Sequence, residues 1–251
     1  MALLEMSGIF KSFGPVEVLR GVDLALEAGE VLALVGDNGA GKSTAIKHVA
    51  GVYRADAGEI RLEGKKVEFD SPRHARTLGI ETVYQDLALA DALSVGANIF
   101  LGREPTRKFL GIPVVDNAKI RSETEALLKR LSSRIPPKAA TVAGLSGGQR
   151  QAVAIARALY WKAKVVVLDE PTAALAVMER EHVIELSRRL AAEGVGVIYI
   201  GHNLIEILEV ADRVAVMYRG QVVHVVKAEE TNQQELIKYM TGFTEAEAKA
   251  A

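Results

Sequence analysis

Gly36-Asp37-Asn38-Gly39-Ala40-Gly41-Lys42-Ser43-Thr44 is the stretch on which the reading turns. It follows the apolar run Val31-Leu32-Ala33-Leu34-Val35 and precedes a helical pattern that begins near Lys42. Strand, glycine-rich turn and helix start satisfy the spacing G-x-x-x-x-G-K-[ST] in the setting that gives it meaning. The glycines let the backbone wrap closely, so that successive N–H groups face phosphate oxygens. The helix N-terminus adds positive potential at the same point. Lys42 is positioned to reach the outer phosphates, and the Ser43 hydroxyl to help hold Mg²⁺. The alternative, a plain tight turn, leaves the strand before and the helix after unexplained.

The rest of the chain is read outward from this loop. Its 251 residues can bury a substantial core, and 49% of them are apolar, which argues for a globular chain. A formal net charge of −1 carries no bulk signal for nucleic acid or an anionic surface. The absence of cysteine excludes disulfides and thiolate metal sites. The N-terminal sequence lacks the pattern of a secretory signal, and no apolar run reaches 18 residues, so no membrane span is expected.

Upstream of the loop, residues 4–29 read as two short strands around Gly14-Pro15, with Asp23 as a solvated strand residue. Phe13 precedes that turn, either as a core aromatic or as a platform for a purine base. Downstream, Ile46, Val49 and Ala50 form the buried side of a helix, with Lys47 and His48 outward or at its rim. A short helix from Pro72 and a strand over 80–84 lead to Gln85. That glutamine can position water or contact Mg²⁺ if its strand end faces the phosphates. Residues 103–116 read as an irregular excursion, residues 120–131 as an amphipathic helix, and Pro136-Pro137 as a break.

Three further patterns carry chemistry. Leu145-Ser146-Gly147-Gly148-Gln149 opens a helix with a hydroxyl and accessible N–H groups. It is either an ordinary serine N-cap or a second anion-binding start. One nucleotide already has its loop at Gly36, so a second phosphate-facing turn is best used on the nucleotide of another copy. The run Val165–Leu168 ends in Asp169-Glu170, where an α/β sheet places its chemistry. Asp169 is the Mg²⁺-side carboxylate and Glu170 the acceptor of a proton from attacking water; a turn pair is the alternative. The strand at 196–200 ends in Gly201-His202, and His202 can donate to a phosphate oxygen.

Leu145–Gln149, then Asp169-Glu170-Pro171-Thr172, then Gly201-His202-Asn203 together resemble the ATP-binding subunit of ABC transporters, over about residues 4–242. The wording GIETVYQDLAL, ANIFLGRE, TAAL and IGHN is most similar to importers of ribose, xylose or fructose. The resemblance implies an α/β P-loop nucleoside triphosphate hydrolase core of ABC ATPase type, with a β-rich N-terminal part and a helical subdomain. Residues 1–85 and 161–251 form the core, and 86–160 the helical, partner-facing part carrying the signature motif. It implies a Mg-dependent ATPase with ATP and Mg²⁺ as ligands. Phe13 stacks on adenine, and Gly36, Asp37, Asn38, Gly39, Ala40, Gly41, Lys42, Ser43 and Thr44 cradle the phosphates. Ser43, Gln85 and Asp169 serve the metal. Glu170, His202, Gln85 and Lys42 serve catalysis. Ser146, Gly147, Gly148 and Gln149 reach the nucleotide of a second copy. The implied partners are that second copy, transmembrane permease subunits and, indirectly, a periplasmic or extracellular sugar-binding protein, at the cytoplasmic face of the membrane and without nucleic acid.

One departure stands out: Ala176 occupies the place where many family members carry an Asp linking the two sites. The rival readings are a non-transport ABC ATPase acting on nucleic acid or the ribosome, and a transport ATPase for a solute other than sugar. Translation ATPases carry two motif sets and repair ATPases a very long insertion, and neither is present in this sequence.

Overall fold

A computed structural model describes residues 2–131, 135, 141–173 and 175–242. The Pro136-Pro137 break and the tail from Glu245 lie outside them. The chain divides into two compact units. The first comprises Met1–Gln85, Ala163–Pro171 and Ser187–Ala251, and the second Asp86–Lys162 and Thr172–Leu186.

The first unit is built on two sheets. β1 (Leu4–Phe13), β2 (Val16–Leu26), β4 (Ala57–Leu62) and β5 (Lys65–Val67) form an antiparallel sheet in the order β2-β1-β4-β5. The second sheet has the order β12-β11-β3-β10-β9-β6. Its strands are β3 (Val31–Val35), β6 (Ile80–Val83), β9 (Val165–Asp169), β10 (Gly196–Ile200), β11 (Arg213–Tyr218) and β12 (Gln221–Lys227). Five run parallel and β12 closes one edge as the antiparallel arm of a hairpin. Every residue of β3 and β10 is buried, as are the first four of β9. A parallel sheet covered on both faces demands such unbroken apolar strands, and these Val- and Ile-rich runs supply them.

β1 and β2 are longer than the sequence suggested, at ten and eleven residues. Register shifts between Met6 and Ile9, Ile9 and Phe10, and Lys11 and Ser12 break the alternation that would have revealed one continuous pair. At the first shift the Gly8 N–H donates to Asp23 Oδ1 at 2.8 Å, so Asp23 is a structural acceptor rather than a merely solvated residue.

α1 (Lys42–Val49) buries Ala45, Ile46 and Val49 in the same core as Leu19, Val22 and Ile60. His48 is fully buried, contrary to the expected rim position. Its Nδ1 lies 2.8 Å from the Thr44 carbonyl, while among the described residues Nε2 has no hydrogen-bond partner. A carbonyl can only accept, so Nδ1 carries the proton. α2 (Pro72–Thr77) starts at Pro72 with the Ser71 hydroxyl accepting from the His74 N–H. α7 (Leu204–Val210) and α8 (Gln233–Met240) are capped by Asn203 and Asn232.

The second unit contains α3 (Val95–Phe100), α4 (Asn117–Arg130) and α5 (Gly147–Tyr160). α6 (Val177–Ala192) begins in it and ends in the first unit. Phe100, Tyr160 and Trp161 pack edge-on, with ring centroids 4.3 and 4.9 Å apart along the chain of contacts, and Asn98 ties the loop before α3 through the Ala90 N–H and carbonyl. The expected irregular excursion is instead a hairpin, β7 (Thr106–Phe109) and β8 (Ile112–Val115), so this unit is not purely helical between Asp86 and Tyr160. Pro113 hid it, and a two-stranded sheet tolerates the missing N–H at its edge. Among the described residues no helix is long and apolar enough to cross a membrane.

Burial pushes the His48 pKa below its ordinary value, with the charge of Lys11 acting the same way. The unfolded chain takes up this proton below pH of about 6.5 while the fold resists it, so stability is lost as pH falls through that value. Urea unfolding at pH 7.5 and 5.5 is expected to show a larger loss for the wild type than for His48→Phe. Equal losses would contradict this role.

Candidate functional site

β3, β10 and β9 are neighbours in parallel register, with Ile200 opposite both Leu34 and Asp169. Their carboxyl ends therefore lie side by side, and Val83 of β6 pairs with Leu168 on the far side of β9. This places Gly36, His202, Asp169-Glu170 and Gln85 along one edge of one sheet, where open α/β sheets bind their ligands.

The loop after β3 is shaped by two glycines. Gly36 has φ +152, and a Cβ there would stand 2.3 Å from the Met217 carbonyl oxygen. Gly41 has φ +106 and a Cβ would meet Leu19 Cδ2 at 3.0 Å. A Cβ at Gly36 would overlap backbone and the positive φ at Gly41 strains any other residue, so the loop keeps this path because both are glycine. Gly41 is also the N-cap of α1 and offers no side-chain cap. The first N–H groups of the helix thus remain open to an external acceptor, with Asp37, Asn38, Gly39 and Ser43 exposed around them.

The Lys42 ammonium is buried and donates to the Gly36 carbonyl at 2.6 Å and the Asp37 carbonyl at 3.1 Å. Among the described residues it has no ion-pair partner. Burial pushes its pKa down, opposed by the more distant charges of Glu170, Asp37 and Asp169. A buried cation held only by carbonyls, at an uncapped helix start, calls for a polyanion. A nucleoside triphosphate suits this cradle by charge and by its open N–H donors.

Asp169 is half-buried at the end of β9 and its pKa is raised, first by burial and then by Glu170; Lys47, Lys42 and His202 oppose this. Glu170 has φ 50, an uncommon left-handed value for a glutamate, and its N–H donates to the Ile200 carbonyl at 3.0 Å. That conformation ends β9 and turns the carboxylate toward β10. Its Oε1 lies 2.5 Å from His202 Nε2. Gln85 is exposed two residues beyond β6. Among the described residues no group of three or more His, Asp or Glu side chains could hold a metal by itself. Ser43 and Asp169 suit Mg²⁺, which takes one or two protein oxygens and completes its shell with phosphates and water.

Phe13 is 41% exposed, which removes the core-aromatic alternative. Its ring is edge-on to Tyr53 at 5.1 Å, and the Tyr53 N–H returns to the Lys47 carbonyl at the end of α1.

In the second unit, Ser146 caps α5 in a reciprocal pair: its hydroxyl accepts from the Gln149 N–H, and its own N–H donates to Gln149 Oε1 at 3.1 Å. The serine-cap geometry is thus real, and Ser146 and Gly147 are also exposed. Glu179 escaped the sequence reading. Its Oε2 accepts from the Ala176 N–H at 3.4 Å, and its side chain packs against Gly148, where a Cβ would meet Glu179 Cβ at 2.9 Å. The Ser146 hydroxyl, and then the Ala176 and Gly148 N–H groups, hold its carboxyl below the usual range. Ala176 has no capping side chain, so the Ser/Thr-x-x-Glu pattern that would have flagged Glu179 is absent from the sequence.

Residues 19–173 match the family model described as ABC transporter. The chain is 51% identical over 96% of its length to the xylose/arabinose import ATP-binding protein of Sulfolobus acidocaldarius, of which it covers 94%. It is 46% identical over 96% of its length to a ribose import ATP-binding protein of Rubrobacter xylanophilus, of which it spans 47%. A solved nucleotide-free ATP-binding cassette from an ABC transporter superposes with a TM-score of 0.81, at 28% identity, covering 97% of this chain and 96% of that one.

Two outcomes follow from this geometry. Lys42→Ala is expected to weaken ATP binding by roughly 10- to 100-fold, the worth of a charge-assisted contact, as read by equilibrium titration; an unchanged dissociation constant would refute it. Asp169 bears a cost when ionised, because a carboxyl with a raised pKa destabilises the fold above that pKa. At pH 7 Asp169→Asn is therefore expected to raise the melting temperature of the nucleotide-free protein while abolishing Mg-dependent hydrolysis. A lowered melting temperature would contradict the cost.

Proposed function

Since the chain belongs to the ABC transporter family, as a cassette that binds and hydrolyses ATP, we propose that it works as a homodimer and drives sugar import through separate transmembrane permease subunits. The observation that carries this reading is the Lys42 cradle facing the Asp169-Glu170 strand end on one sheet edge. The sugar assignment draws on the printed names of the xylose/arabinose and ribose relatives. A binding protein outside the cell delivers the sugar, and the cassette sits at the cytoplasmic face of the membrane.

Each residue then has a task. The N–H groups from Gly36 to Thr44 and the Lys42 ammonium hold the phosphates and neutralise charge at the transferring group. Ser43, Asp169 and Gln85 would hold Mg²⁺, which would supply charge neutralisation at the phosphates. Glu170 accepts the proton of the water that attacks the terminal phosphorus, and the bond to the ADP oxygen breaks. His202, on the same carboxylate, orients it and donates to a phosphate oxygen. Phe13 stacks on the base.

Ser146, Gly147, Gly148 and Gln149 complete the site of the other copy with the hydroxyl and N–H groups at the start of α5. ATP binding draws two copies together, and hydrolysis removes the contacts that held them. The exposed strand-end Gln85 leads into the segment up to Gly102, which docks on the permease and transmits closure. Residues 1–85 and 161–251 act as the nucleotide-binding core, and 86–160 as the partner-facing part.

Glu170→Gln tests the chemistry. ATP affinity is expected to stay within a few-fold of wild type while phosphate release falls by about 100-fold or more, the usual worth of a general base. Near-normal release would place the proton acceptor elsewhere.

A further inference from the structure

The hairpin β7–β8 is a sheet of its own, and every residue of β7 is exposed. Phe109 is 60%, Leu110 88%, Ile112 65% and Val115 46% exposed. Single exposed apolar residues are ordinary, but Phe109, Leu110 and Ile112 fall within four residues at the turn end, and such a concentration marks an interaction site. Phe109 pairs with Ile112 across the ladder, so their side chains share a face next to the turn.

The turn itself is unusual. Leu110 has φ 48 and Gly111 φ 82, the two positive values of a tight hairpin turn. Such a first position favours Asn, Asp or Gly. A large apolar side chain is held there at a conformational cost, at the apex, with most of its surface open to solvent.

Charge says what meets this apex. From Pro105 to Val115 there are two cations, Arg107 and Lys108, and no acid. Among the described residues neither cation has an ion-pair partner. The flanking acids are engaged elsewhere: Glu104 accepts from the Gly102 N–H at 3.0 Å and Asp116 from the Lys119 N–H at 3.0 Å. An apolar tip with unpaired cations directly behind it matches the boundary between acyl chains and anionic headgroups. We propose that the Phe109–Ile112 hairpin tip inserts into an anionic bilayer surface, with Arg107 and Lys108 at its phosphates. This contact goes beyond attachment through a permease and needs no second protein.

The test is flotation of the full-length purified chain with vesicles, without permease. One set is pure dioleoylphosphatidylcholine and the other contains about one third dioleoylphosphatidylglycerol. The chain is expected to float with the anionic set and far less with the neutral one, and to be released by salt as the surface charge is screened. Arg107→Gln with Lys108→Gln should reduce partitioning by about 30-fold, at the usual worth of two basic residues. Phe109→Ser with Leu110→Ser should abolish it while ATP affinity stays unchanged. Leu110→Asn suits the turn, so it should fold at least as well and still float less. Failure of the wild type to float with either set overturns the proposal, as does undiminished flotation of the apolar-tip variants. A wild type that ignores vesicles while tip variants fail to join a permease would assign the patch to a protein partner and overturn it equally.

Discussion

The arrangement depends on one cation buried against backbone carbonyls. Lys42 begins α1, and its ammonium returns to the carbonyls of Gly36 and Asp37 in the loop that leads into that helix. Burial disfavours its charge, and the carboxylates of Glu170, Asp37 and Asp169 offset this only from a distance. The helix start adjoining it carries no side-chain cap. Both features are costly in an empty fold and both are relieved by a polyphosphate. The rest of the first unit serves to hold them: two glycines in left-handed backbone, three apolar strands that bring their carboxyl ends together, and a core that fixes α1 behind the loop.

The same logic extends to the acids. Asp169 and Glu170 repel one another at the end of a buried strand, which a divalent cation and a proton in transit would each relieve. The left-handed Glu170 backbone and the pairing of its side chain with His202 turn the two carboxyls to different uses. Preorganisation of this kind puts the cost of desolvation into the fold rather than into the reaction.

Much of this was legible in the sequence because it rests on local rules. An apolar strand, a glycine-rich turn and a Lys-Ser-Thr helix start announce Gly36–Thr44, and parallel strands covered on both faces announce themselves as unbroken Val and Ile runs. What escaped depends on tertiary placement or on broken periodicity. The length of β1 and β2 was masked by bulges, and the acceptor role of Asp23 exists only because one bulge presents the Gly8 N–H. His48 reads as a polar helix residue, and only the packing of the first sheet against α1 buries it. The β7–β8 hairpin was hidden by Pro113 and by a leucine at a turn position that usually carries glycine or asparagine. Glu179 was invisible because Ala176, whose N–H it caps, completes no capping pattern, and because Ser146, which it also reaches, lies 33 positions away.

The central claim is that two copies close on ATP, each supplying Ser146–Gln149 to the other's phosphates. The most direct measurement is the solution mass of Glu170→Gln by light scattering, with and without Mg-ATP. A shift from monomer to dimer that requires ATP, and that Ser146→Arg abolishes without loss of ATP binding, is the predicted result. A protein that binds ATP and stays monomeric, at ATP and protein concentrations well above those needed for saturation, would contradict the account.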